Sequence, residues 1–246
     1  MRIAVLADIH GNLRALEAVK ADLRAQSPDL VVNLGDHLSG PLQARATADA
    51  IMAEAWVNIR GNHDRRLVHQ PPDEMRASDR AAHEQIDDGH RGWLRELPAT
   101  REIEDGILMC HGTPSSDTAY LLENVNSNGR YIASAAEICT RIGDIRPALL
   151  LCGHTHIPRA ISVDQTLIVN PGSVGLQAYD DDEPVRHYME VGSPHARYAL
   201  LDRSGSGWRV SFIAVEYNWN AASREAVAGN RPDWGCALAT GYALRS

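Results

Sequence analysis

The sequence holds no apolar run approaching the ~20 residues that a membrane-spanning helix needs. Nor does it open on an apolar stretch followed by a small-residue cleavage site, because a strand-like run begins almost at the first residue. These absences predict a soluble, cytoplasmic protein with no membrane partner. Cysteine is scarce: Cys110, Cys139, Cys152 and Cys236 make no CxxC pair, and three of them sit in apolar periodic segments. Reduced structural thiols are expected, with neither disulfides nor a thiolate zinc site. Positive charge is also short. Lys and Arg number 24 against 32 Asp and Glu, a net charge of −8, which excludes broad binding to duplex nucleic acid. A small anionic substrate remains open, since bound divalent cations can reverse the field inside one cleft whatever the total charge.

Internal repeats and linker-like tracts are missing too, so the 246 residues read as a single α/β domain spanning 1–246. The first half alternates short apolar runs with helical patterns, the mark of a layered sheet. Strands are expected at Ile3 to Ala7, Leu30 to Leu34 and Trp56 to Ile59. Asn12 caps a helix carrying Leu13, Leu16, Val19 and Leu23 at three- and four-residue spacing, and Pro41 opens another that ends near Ala55. Residues 65–98 are polar and broken by Pro71 and Pro72, which predicts a helical cap inserted beside the sheet. One of its helices runs through Ala81 and a second through Trp93 and Leu94. Ile107 to Cys110 and Ala148 to Cys152 are further strands, separated by a helix with Tyr131, Ile132, Ala135, Ile138, Cys139 and Ile142 on one face. Beyond these, Leu167 to Val169, Tyr198 to Leu201 and the alternating Trp208, Val210 and Phe212 suggest a second sheet packed on the first. The acidic run Asp180 to Glu183 reads as a solvated loop.

Five polar clusters fall at or just past the C-terminal ends of apolar runs: Asp8-Ile9-His10, Gly35-Asp36, Gly61-Asn62-His63-Asp64, His111, and Gly153-His154-Thr155-His156. In open α/β sheets ligand sites collect at the carboxyl ends of strands, so clusters distant in sequence can converge on one cleft. Imidazole and carboxylate donors without thiolates suit borderline divalent metals such as manganese, iron or zinc. The two-residue spacing of Asp8 with His10, and of His154 with His156, puts each pair on one face of an extended strand end. Gly35, Gly61 and Gly153 permit sharp turns or close backbone approach. A lone Asp-x-His is more often a strand end with satisfied hydrogen bonds, and a lone Gly-Asn-His-Asp more often a turn. All five clusters in order make coincidence a poor account.

This ordered set, DxH, GD, GNH(D/E), H and GHxH, resembles the signature of the calcineurin-like metallophosphoesterase superfamily. The likeness extends to Leu6-Ala7-Asp8-Ile9-His10-Gly11-Asn12 and to Val169-Asn170-Pro171-Gly172-Ser173-Val174-Gly175, both typical of its small bacterial and archaeal branch, and covers roughly residues 1 to 215. It implies a four-layer α-β-β-α sandwich of two mixed sheets flanked by helices. It also implies a metal-dependent hydrolase of phosphate esters or anhydrides, acting on a small phosphorylated substrate. Asp8, His10 and His156 would hold one divalent ion and Asn62, His111 and His154 a second, with Asp36 bridging both. A water between the ions would be the nucleophile. His63 would be the catalytic residue that protonates the leaving oxygen.

One departure stands out. Related protein Ser/Thr phosphatases follow GD with an acid and Arg-Gly, the acid orienting the catalytic histidine, whereas this chain reads Asp36-His37-Leu38-Ser39-Gly40-Pro41. Phosphoprotein activity is thereby disfavoured, and Asp64 becomes the available partner for His63. A non-catalytic protein-binding scaffold on the same fold is the other rival, and retention of His63 counts against it. His37 reads equally as a cleft residue or an ordinary loop histidine. His69, His83, His90, His187 and His195 match no motif and are expected at exposed positions. Asn170-Pro171-Gly172-Ser173 reads first as a turn. Arg60, Arg65 and Arg66 flank the Gly-Asn-His-Asp motif, where a guanidinium can pair with phosphate, although arginines opening a polar cap are more often solvated.

Overall fold

A computed structural model describes residues 1–104, 106–205 and 207–245. Arg2–Leu6 (β1) buries every residue after its first, as a strand paired on both sides must. Asn12 then caps α1 (Leu13–Gln26), its side-chain oxygen accepting from the Ala15 N–H at 3.1 Å. Leu16, Val19 and Leu23 bury that helix's apolar face, each contributing roughly 1.5–3 kcal/mol. The chain continues through β2 (Leu30–Asn33), α2 (Ala44–Met52), β3 (Val57–Asn58), α3 (Asn62–His69), α4 (Ala77–His83) and α5 (Asp88–Glu96). Next come β4 (Thr100–Glu104), β5 (Ile107–Cys110), β6 (Glu123–Asn126), β7 (Gly129–Ile132), α6 (Ala135–Ile142) and β8 (Leu149–Leu151). The last part holds β9 (Arg159–Val163), β10 (Thr166–Asn170), β11 (Ala178–Asp181), β12 (His187–Glu190), β13 (Ala196–Ser204), β14 (Gly207–Val215), α7 (Trp219–Ala228) and α8 (Pro232–Thr240).

Two five-stranded sheets, β14-β13-β1-β2-β3 and β4-β5-β8-β10-β9, carry the architecture. Both are mixed. In the first, β1 to β3 are parallel, β13 pairs antiparallel with β1 and β14 antiparallel with β13; in the second, β5, β8 and β10 are parallel, with β4 and β9 antiparallel at the edges. Ile3, Val5, Val32 and Leu34 of the first sheet pack against Ile107, Met109, Leu149, Leu151 and Val169 of the second. On the outer face of the first sheet lies α1, and on that of the second lies α6 through Ile138 and Ile142. The result is the expected four-layer sandwich. No helix among the described residues is long and apolar enough to cross a membrane.

Several elements differ from the sequence expectation. Tyr198–Leu201 and the Trp208–Phe212 alternation extend the first sheet, where Ala4 pairs with Leu200; of the late strands named above, only Leu167–Val169 joins the second. Period-two patterning fixes which face is buried, not which sheet a strand joins. Tyr131 and Ile132 belong to β7 and are exposed, because Ser134 starts the helix there: its hydroxyl accepts from the Glu137 N–H, and the Glu137 carboxylate accepts from the Ser134 N–H at 2.7 Å. Helix α2 begins at Ala44 and ends at Met52, since the Gln43 N–H is held by the Gly11 carbonyl at 2.9 Å and keeps 41–43 in a turn. Asp180 and Asp181 end a strand rather than a free loop. Helices α7 and α8 follow β14, in a stretch for which the sequence reading named no element. All four cysteines are free, Cys110 and Cys152 buried, and burial pushes the Cys110 thiol up to about 12.

Candidate metal centre

Each motif lies just beyond a strand: Asp8 after β1, Asp36 after β2, His111 after β5, and His154 and His156 after β8, while Asn62 opens α3 behind β3. The two sheets face each other, so their carboxyl ends deliver these side chains to one place. Asp8, His10 and His156 present donor atoms within 4.8 Å of one another, and so do Asp36, His111 and His154. Asn62 joins the second group, its Oδ1 standing 3.1 Å from His111 Nε2. The groups are contiguous, because His111 Nε2 also lies 4.0 Å from Asp8 Oδ1.

Bringing these loops together costs backbone strain. Asp8, His10, Asp36, His154 and His156 all adopt positive φ, between 52° and 70°, a region non-glycine residues rarely enter. The loops after β2 and β3 also touch directly, so that a Cβ on Gly35 would lie 2.3 Å from the Gly61 nitrogen and one on Gly61 would lie 2.1 Å from Asp36 Oδ1. Only glycine fits at either position.

The histidines are oriented by main-chain carbonyls. Nδ1–H donates from His10 to Ser39 O (2.8 Å), from His111 to Leu34 O (2.8 Å) and from His156 to Leu176 O (2.7 Å), while Nε2–H of His154 donates to Thr118 O (3.0 Å). Each bond fixes the ring's orientation and turns its other nitrogen toward the centre. His10 Nε2 and His156 Nε2 then face one another at 3.2 Å. Burial first, and the neighbouring His156 next, push the His10 pKa down to about 4, so the His10 ring is neutral at neutral pH. Asp8 Oδ1 is buried without a hydrogen bond. At His111 burial favours the neutral ring, but Asp36 and Asp8 outweigh it and raise the pKa to about 10. A pocket built of converging imidazole nitrogens and carboxylates is matched to cations, and this donor set fits divalent metal ions.

His63 stands apart from the donors. Its backbone N–H donates to Asp36 Oδ1 at 2.9 Å, and its ring, 23% exposed, donates from Nδ1 to Asp79 Oδ1 at 2.6 Å. That carboxylate comes from α4 and also accepts from the Ser39 hydroxyl at 2.7 Å. Burial would lower the His63 pKa; the Asp36 and Asp79 carboxylates overcome it and raise the pKa. Asp79 therefore takes the place expected for Asp64. Asp64 is occupied elsewhere, accepting from the N–H groups of Asp36 (2.8 Å), His37 (3.0 Å) and Gly61 (2.9 Å) and from the His37 ring (2.7 Å). It welds the loops after β2 and β3, with His37 buried as part of the weld.

The remaining sequence readings divide. Asn170 and Ser173 brace the centre: Asn170 Nδ2 donates to Gly153 O at 2.7 Å and the Ser173 hydroxyl to Asp8 O at 2.8 Å. His90 and His187 are buried, against the expectation of exposure. His90 bonds Asp87 and Asp49, and His187 accepts from Tyr120 through a ring whose Nδ1–H donates to Val185 O. Above the donors opens a cleft of about 840 Å³ walled by Arg66, Tyr120, Tyr179, Asp181 and Trp234.

A family profile described as the calcineurin-like phosphoesterase superfamily domain matches residues 1–191. Among curated proteins the chain is similar to an uncharacterized protein of Methanocaldococcus jannaschii, 24% identical over 249 positions and covering 94% of each chain. Among solved structures it is similar to a metallophosphoesterase from Sphaerobacter thermophilus, with 24% identity, a TM-score of 0.74, and coverage of 98% of this chain and 99% of that one. A hypothetical protein from Pyrococcus horikoshii gives 21% identity, a TM-score of 0.73 and 99% coverage of both. At these identities the structural likenesses speak for the fold.

Proposed function

The chain belongs to the calcineurin-like phosphoesterase superfamily, and from that premise we propose that it hydrolyses phosphate esters on the floor of this cleft with two divalent cations. The observation that carries the proposal is the pair of imidazole nitrogens, His10 Nε2 and His156 Nε2, turned toward each other at 3.2 Å beside the unbonded Asp8 Oδ1. Asp8, His10 and His156 would hold one ion, Asn62, His111 and His154 the other, and Asp36 both; manganese, iron and zinc all suit these donors. Bound there, two such ions would neutralise phosphoryl charge and acidify the attacking water.

The protein's own groups supply the rest. Main-chain carbonyls hold the imidazoles in one orientation, so no reorganisation is needed when charge develops. His63, clamped at Nδ1 by Asp79 and raised in pKa, keeps a proton at Nε2 for the departing oxygen. The test is a panel of aryl phosphates, phosphodiesters and nucleotides assayed with added manganese. Hydrolysis that stops on chelation and returns with metal is the expected result; a metal-loaded protein inert toward every ester would refute the reading.

A further inference from the structure

Four guanidinium groups stand in or beside the cleft, and three are already matched to carboxylates. Arg65 forks onto Asp117, with Nε to Oδ2 at 2.6 Å and Nη2 to Oδ1 at 2.9 Å. Arg231 is bound to Asp233 at 2.6 Å, and Arg76 lies 3.9 Å from Asp181. Arg66 is different: among the described residues its side chain makes no hydrogen bond or ion pair, yet it lines the cleft with Asp36, Asn62, His63 and His154. Its place follows from the helix. Asn62, His63 and Arg66 are residues i, i+1 and i+4 of α3, so a four-residue step sets Arg66 over Asn62 on the same face, while Arg65 turns toward Asp117. Its charge is felt at both His63 and Asp79.

A half-buried guanidinium that lines a cleft and bonds no carboxylate is arranged for an anion brought in from solution. Resting on the phosphoesterase reading above, we infer that Arg66 is the residue that binds the substrate's phosphoryl group and that it selects phosphomonoesters over diesters. A monoester carries two charges and three terminal oxygens, so one charged oxygen can meet the guanidinium fork. In a diester that corner is an ester oxygen bearing carbon and no charge. Hydrolysis breaks the ester P–O bond, water supplies the new oxygen, and the alcohol and inorganic phosphate depart. The same fork should therefore hold the phosphate product.

The experiment titrates inorganic phosphate by calorimetry into the manganese-loaded wild type, Arg66→Gln and Arg66→Lys, and measures metal content and kcat/KM on nitrophenyl phosphate and bis-nitrophenyl phosphate. A charge-assisted bond of this kind is worth roughly 10–100-fold in affinity. Arg66→Gln should weaken phosphate by that factor at unchanged metal content and lose roughly tenfold more on the monoester than on the diester, with Arg66→Lys between it and the wild type. Phosphate affinity within about twofold of wild type, equal losses on both esters, or depleted metal would each overturn the assignment. If the wild type hydrolyses neither these esters nor any other in the panel above, the phosphoesterase reading fails, and the phosphate titration still decides the role of Arg66.

Discussion

In the mechanism proposed above, His63 stands apart from the candidate donors as the group that acts on the leaving oxygen. With Nδ1 committed to Asp79 and no donor atom in either cluster, His63→Ala should keep its metal while turnover falls by roughly 10²–10⁴. The loss should be smaller on nitrophenyl esters, whose oxide leaves without a proton, than on alkyl esters. Uniform loss with depleted metal would make His63 a support of Asn62. Asp79→Asn should have a subtler effect. The Asp79 carboxylate helps raise the His63 pKa, and a protonated acid loses activity as pH rises through that pKa; removing the carboxylate should therefore move the alkaline limb of kcat to lower pH. An unmoved limb would reduce Asp79 to packing. The donors were legible in the sequence because strand ends and spacing announce them. Asp79 was not, because nothing in Ser78-Asp79-Arg80 marks a contact made between α4 and the start of α3, and the nearer acid Asp64 satisfied the same chemical need on paper.

At the scale of elements, Asp64 ties the first turn of α3 to the loop after β2 with four donors. Burial would raise its pKa; the His37 side chain and the Gly61 N–H outweigh burial and hold the carboxyl below its usual range. A carboxyl depressed by folding stabilises the protein above the ordinary carboxylate range, near pH 4, and that stability is lost as pH falls toward the depressed value. Asp64→Asn should cost roughly 3 kcal/mol at neutral pH and flatten the acid side of the stability profile, read from denaturant midpoints at several pH values. A variant as acid-sensitive as wild type would contradict this. Caps and central strands were readable from pattern, as Asn12 and β1 demonstrate. The C-terminal helices were not: their buried residues are mainly Ala, Gly and Leu around a single Trp234, a face too small to give a strong period, and Trp234 packs across the fold against Leu42, Leu176, Gly40 and the His10 ring, 5.8 Å between centroids.

Across the whole molecule, the centre joins positions as far apart in sequence as Asp8 and His156, so metal binding should act as a staple between the two sheets. Ions present at ~100 times their dissociation constant add about 2.7 kcal/mol to a fold that alone binds them. Chelation should then lower the melting temperature by roughly 5–10 °C in a chain of this size. The central claim is tested most directly by counting the ions, through elemental analysis and calorimetric titration of manganese into the chelated protein, with Asp36→Asn alongside. Two equivalents per chain, both weakened in Asp36→Asn, is the predicted result; a single equivalent or none in the wild type, or two retained at unchanged affinity in the variant, would contradict it.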